Sequence, residues 1–176
     1  MNAPTSSAAP PKTVLIVDDV EDNRVLLDRA LKSSGYVTIH AASGREALSM
    51  ISRHMPDIVL LDWMMPGFSG LDTLRAIRET HPKTRLPVIM CTAMGEEMSV
   101  VTAINEGAND YMLKPISLAI LRARMAAHLD QRDAIDSLAS EKLHAERKLG
   151  ERTREMLTAM SRDRDTPPPA ANGASR

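Results

Sequence analysis

The chain has 176 residues, room for one ordinary domain of roughly 100–150 residues plus appendages. Aromatic residues make up only 2% of it, so any core must be built from Leu, Ile, Val, Met and Ala. A formal net charge of −1 offers no basic surface for nucleic acid or membrane, and the single cysteine, Cys91, excludes an internal disulfide and a cysteine-built zinc site. The first twelve residues lack the basic start and apolar stretch of a secretory signal, and no apolar run approaches the ~18 residues of a membrane helix. These features predict a soluble, cytoplasmic protein.

Residues 1–12 are rich in Ala, Pro and Ser and predict a disordered tail, as does the Pro-rich end, 165–176. From 13 to 129, short apolar runs alternate with amphipathic stretches. The runs at 14–17, 37–41, 58–61, 88–91 and 111–113 read as strands, several of them apolar without a period of two. That pattern belongs to strands buried on both faces of a parallel sheet. Helical patterns fall between them at about 22–33, 44–53, 70–80, 96–106 and 117–128, punctuated by Gly35, Pro56, Pro82 and Gly107. Five β-α units imply a doubly wound α/β sheet with helices on both faces.

In such sheets ligands sit beyond the carboxyl ends of the strands, so the residues that end the apolar runs carry the chemical interest. The first run ends in Asp18-Asp19, the third in Asp62, the fourth in Thr92 and the fifth in Lys114-Pro115. Parallel strands bring these endings to one edge. Taken singly, each is an ordinary turn or helix-cap residue. Taken together, three carboxylates, one ammonium and one hydroxyl form a pocket whose formal charge calls for a divalent counter-ion. Hard oxygen donors with open positions suit Mg²⁺. Asp62, at the end of a central strand, is placed as a carboxylate nucleophile, with Lys114 to stabilise the oxygens of a transferring phosphoryl group.

The series VLIVDD, IVLLDWMMPGFSG, PVIMCTA and DYMLKP resembles the receiver domain of bacterial two-component response regulators over about 13–129. The resemblance implies a flavodoxin-like (βα)5 fold with strand order 2-1-3-4-5. It implies phosphoacceptance at Asp62 from a sensor histidine kinase or a phosphotransfer protein, self-catalysed rather than performed as a classical enzyme. Asp18, Asp19, Asp62 and the backbone carbonyl of Met64 correspond to the Mg²⁺ site, Thr92 and Tyr111 to the switch pair, and Lys114 to the phosphate-pairing lysine. The Lys114–Pro115 bond corresponds to a cis peptide. Cys91, by contrast, reads as a small buried hydrophobe, Trp63 as a rim contact, and His144 as an ordinary helix residue rather than a phosphodonor.

From 130 to 164 turn signals nearly vanish and strong helix formers dominate, predicting a helical extension and a candidate coiled coil. A helix unbroken from 117 to 160 would run about 65 Å. Leu138, Lys142, Ala145, Leu149, Arg152, Met156 and Ala159 follow a heptad, as do Leu121, Met125, His128, Arg132 and Ile135 upstream, but the two segments join only through a register break. Residues 131–165 hold eight basic and eight acidic side chains, a balance that argues against a DNA-binding arm. Expected partners are a homodimer mate, through this helix or the fourth-helix, fifth-strand, fifth-helix face, or another docked protein. Two rivals stand beside this reading. One is the front part of a multidomain regulator. The other is a haloacid-dehalogenase-like phosphatase, which places Asp-x-Asp on its first strand where this chain has Asp18-Asp19-Val20.

Overall fold

A computed structural model of the protein describes residues 10–93 and 97–164, with side chains described over 10–92 and 101–156. The expected tails, 1–12 and 165–176, therefore lie outside the described residues, apart from 10–12. Elements follow in strict alternation: β1 (Thr13–Val17), α1 (Glu21–Lys32), β2 (Val37–Ala41), α2 (Gly44–His54), β3 (Ile58–Asp62), α3 (Gly70–Thr80), β4 (Val88–Ala93), α4 (Glu97–Asn105), β5 (Asp110–Lys114) and α5 (Leu118–Arg164). All strand pairings are parallel, in the order β2-β1-β3-β4-β5. The doubly wound fold expected from the alternation is the one observed. No helix among the described residues is long and apolar enough to cross a membrane.

Side-chain alternation along the strands divides the core in two. Leu15, Val17, Val59, Leu61, Val88 and Met90 face Ala47 and Ile51 of α2, Leu74 and Ile77 of α3 and Ala103 of α4. Val14, Ile16, Ile58, Leu60, Ile89, Cys91 and Met112 face Leu27 and Leu31 of α1 and Leu121, Met125 and Leu129 of α5. Every residue of β3 is buried, which explains why its run shows no period of two.

Local chemistry sets the helix limits. Ser43 caps α2 by accepting from the Glu46 amide, and Ser69 and Asp72 form a reciprocal capping box on α3. At the end of α2, Pro56 disfavours a right-handed helical conformation for the residue before it, and Met55 turns left-handed at φ 47°. Gly35 and Gly107 take positive φ just after α1 and α4.

Two compact units are present, Met1–Asp133 and Ala134–Arg176. In the first, the upstream heptad positions of α5 are already used. Leu121 and Met125 are fully buried in the chain's own core, His128 meets Asp110, and Arg132 pairs with Asp57. That segment is the inward face of α5 rather than a seam for another helix. In the second unit the described side chains from 137 to 156 are exposed.

Candidate functional site

The strand order reverses between β1 and β3, and the carboxyl ends of these two strands carry Asp18 and Asp62. Asp62 follows Ile58 and Leu60 on the sheet face that packs against α1 and α5, and Lys114 follows Met112 on the same face of β5. Alternation therefore delivers both groups to one side of the sheet edge. Thr92 has the opposite parity. It follows Met90 on the α2–α3–α4 face and is buried, one residue beyond Cys91, the register partner of Asp62. Tyr111 pairs with Met90, so it stands on the same face as Thr92, half-buried against that cluster.

Lys114 Nζ lies 2.9 Å from Asp18 Oδ2 and 2.8 Å from Asp62 Oδ1. Asp18 and Asp62 are buried while Asp19 is exposed, and carboxylate oxygens of the three lie within 4.8 Å of one another. Burial pushes the Asp62 carboxyl above the usual carboxylate range, against the pull of the Lys114 ammonium. Burial opposes the charge on Lys114, but its bonds to Asp62 and Asp18 outweigh that and hold its pKa above the ordinary lysine value. The donor set is all hard oxygen with one exposed carboxylate, which fits a divalent cation such as Mg²⁺.

Two contributors escaped sequence reasoning. Asn23 donates to both carboxylate oxygens of Asp18, at 3.0 and 3.1 Å, and Arg24 donates to the Asp18 backbone carbonyl at 2.6 Å. The Val20 amide also donates to Asp18 Oδ1 at 2.9 Å. Asn23 and Arg24 lie on the first turn of α1, the one element that follows Asp18 directly, and proximity to a strand-end acid was the signal that could have found them. Arg24 places a second cation beside the site, so the charge deficit is smaller than Lys114 alone implies.

The loop after β3 is held by backbone contact. The Trp63 amide donates to the Cys91 carbonyl at 2.8 Å, and the Gly70 amide donates to the Trp63 carbonyl at 3.1 Å. A Cβ on Gly70 would lie 2.0 Å from the Asp62 carbonyl oxygen and 2.9 Å from Trp63 Cα, so only glycine lets α3 start this close to the site. The Met64 side chain is 61% exposed at the rim. The Lys114–Pro115 peptide is cis. Beside it, a pocket of about 180 Å³ is lined by Asp18, Asn23, Leu26, Lys114, Pro115 and Ile116. Burial pushes the Cys91 thiol up to about 12, so it is an unreactive member of the core.

A response regulator receiver domain model matches residues 14–126. The phosphate regulon transcriptional regulatory protein PhoB of Pseudomonas aeruginosa is 39% identical over 128 residues, covering 73% of this chain and 56% of that protein. The response regulator PleD of Caulobacter vibrioides is 35% identical, covering 71% of this chain and 28% of that protein. The chain thus spans about half the length, or less, of these curated relatives. Among solved structures, a CheY-like receiver domain protein from Methanospirillum hungatei superimposes with a TM-score of 0.66 at 27% identity, covering 70% of this chain and 98% of that one. NtrX from Brucella abortus does so with a TM-score of 0.69 at 30% identity, covering 74% of this chain and 29% of that one. Family match, strand order and strand-end acids agree, and the chain belongs to the response regulator receiver domain family.

Proposed function

We propose that this chain is a signalling switch that accepts a phosphoryl group on Asp62 from a histidine kinase or phosphotransfer protein in the cytoplasm. The observation that carries the reading is the placement of Lys114 Nζ within 2.9 Å of both Asp18 and Asp62, beside a third carboxylate on Asp19. Asp18, Asp19, Asp62 and the Met64 carbonyl would hold Mg²⁺, which when bound supplies charge stabilisation to the oxygens in transfer. An Asp62 carboxylate oxygen attacks phosphorus in line. The P–O bond to Asp62 forms as the P–N bond to the donor imidazole breaks, and the ring, already protonated on its other nitrogen, takes the P–N electron pair and leaves as neutral imidazole. Attack by water on the same phosphorus later restores the carboxylate.

Conversion to an acyl phosphate replaces one negative charge by about two. Lys114, already bonded to Asp62, is placed to take up a phosphoryl oxygen. Thr92, next to the register partner of Asp62, supplies a hydroxyl from the opposite face, and Tyr111 shares that face. Movement of Thr92 toward the phosphoryl group would open space for Tyr111, so a local charge change biases the surface of α4, β5 and α5. The Tyr111 ring lies 6.0 Å from the Arg124 guanidinium of α5, a contact that such a turn of the ring would alter.

Residues 13–129 form the receiver, and 130–164 form the helix that meets a partner, for which a second copy of this chain is the occupant proposed.

The test is incubation with acetyl phosphate and Mg²⁺, followed by intact-mass measurement. One phosphoryl group is expected on the wild type, and none on Asp62→Asn or in the presence of EDTA. Equal labelling of Asp62→Asn would overturn the assignment. Sustained turnover of a generic phosphate ester would favour the phosphatase instead.

A further inference from the structure

The second unit carries large apolar side chains that the described residues leave open: Leu138 is 65% exposed, Leu149 68% and Met156 67%, with Leu143 at 51% one position off their line. A helix this polar gains little stability by itself, and Leu138, Leu149 and Met156 fall on one heptad seam with Ile135, Lys142, Ala145 and Arg152. Taking Ile135 as position a places Leu138, Ala145 and Arg152 at d, and Lys142, Leu149 and Met156 at a. The flanking g positions are then Glu141, Lys148 and Glu155, and Glu146 is at e.

These positions discriminate between the two ways of pairing identical helices. In a parallel pair, g of one helix faces e of the next heptad in its mate, so Glu141 meets Glu146 of the second copy, twice by symmetry. Lys142 and Arg152 would also stack on their own copies at the centre of the seam. All these contacts are repulsive. In an antiparallel pair, a faces d and g faces g, and the g series alternates in sign. Setting Leu138 against Leu149 of the second copy brings Glu141 opposite Lys148, again twice. The same register sets Lys142 across from Ala145 and Arg152 across from Ile135, so no cation meets its own copy and each stem can lead its charge out to solvent. The Lys142–Glu146 ion pair within each helix, at 4.0 Å, keeps that ammonium at the seam's edge.

We infer that the helix from Ala134 onward pairs antiparallel with a second copy of this chain, through reciprocal Leu138–Leu149 packing and Glu141–Lys148 ion pairs. This rests on the reading of that helix as a self-association surface. The antiparallel direction would place the two amino-terminal ends of the pairing segments at opposite ends of the shared helical stretch.

Charge reversal on the full chain tests direction and surface separately, because Glu141 and Lys148 are exposed and their substitution leaves the fold intact. Sedimentation equilibrium at low salt is expected to show a dimer. Glu141→Lys should weaken it about tenfold, through two attractions turned into repulsions, and Glu141→Lys with Lys148→Glu should restore it. A parallel pair would respond with the opposite sign, since Glu141→Lys would then meet Glu146, and tighter association of that variant overturns the direction alone. An unchanged dimer in Glu141→Lys removes the helix from the interface. A monomer at 100 micromolar wild type removes the self-association reading itself, leaving the phosphoacceptor reading untouched.

Discussion

The two ends of the sheet handle charge in opposite ways. At the amino ends of the strands, each buried or half-buried acid has its own cation. Asp57 pairs with Arg132 and Asp110 with Arg124 and His128, while the exposed Asp133 meets Lys12 at 2.6 Å. Arg78 completes that end without an acid. It donates to the carbonyls of Gly107, His81 and Leu86 and to Asn109 Oδ1, at 2.7–3.0 Å, while Asn109 Oδ1 also accepts from the Val88 amide. Burial brings the Arg78 pKa down to about 10, still cationic at neutral pH. At the carboxyl ends, Asp18 and Asp62 share Lys114 while Asp19 stands exposed beside them, and Arg24 is bonded to the Asp18 backbone carbonyl. A neutralised end holds the fold, and an under-neutralised end is left with capacity for a cation and a chemical change. The separation predicts that substitutions will fall cleanly into two kinds.

The largest effect belongs to Asp62→Asn. Phosphoryl incorporation should fall by at least about 100-fold, while the thermal midpoint without Mg²⁺ should not drop, because a buried carboxylate is being neutralised. A marked loss of stability would show that the site end holds the fold too, and would break the comparison. Gly70→Ala comes next, and it sharpens the comparison by striking backbone at the site end. With no flexible side chain to give way, it should cost about 3 kcal/mol in urea unfolding and slow phosphorylation together.

Arg78→Met is the mirror of Asp62→Asn. It removes the side-chain donor from three carbonyls and leaves Asn109 Oδ1 with the Val88 amide alone, at about 2–3 kcal/mol. The phosphorylation rate of the folded fraction should stay within about twofold of wild type; a larger change would mean that the two ends are coupled. The smallest effect concerns a lateral cluster between α1 and β2. Burial raises the Asp28 pKa, but bonds from Thr38, Lys32 and His40 outweigh it and bring the carboxyl down to about 2. A depressed carboxylate stabilises the fold above its unfolded pKa, near 4, and that contribution is lost as pH falls through 2. Asp28→Asn should therefore be less stable than wild type at pH 6, with the gap in urea midpoint narrowing by pH 3.

Much of the site was readable before any coordinates. Asp18, Asp19, Asp62, Thr92 and Lys114 each end an apolar run, and parallel strands can only gather such endings at one edge. What could not be read was the support around them. Asn23 and Arg24 look like ordinary helix residues, and their bonds to Asp18 depend on where the first turn of α1 docks. Arg78 likewise sits in an unremarkable helical stretch, and its partners come from loops 3 to 31 residues away. Spacing alone also could not assign the upstream heptad on α5, since Leu121 and Met125 have the spacing of a seam and are buried in the chain's own core.

By itself the sequence determined the alternation of elements, the parallel sheet and the set of strand-end groups, because these follow from short-range periodicity and from which side chains must leave water. Only the tertiary structure decided which of those groups touch. Lys114 bridges Asp18 and Asp62 from 96 residues away in the case of Asp18, whereas Thr92 lies on the opposite face of the sheet. Strand order and side-chain parity, set by packing across the whole sheet, make those assignments.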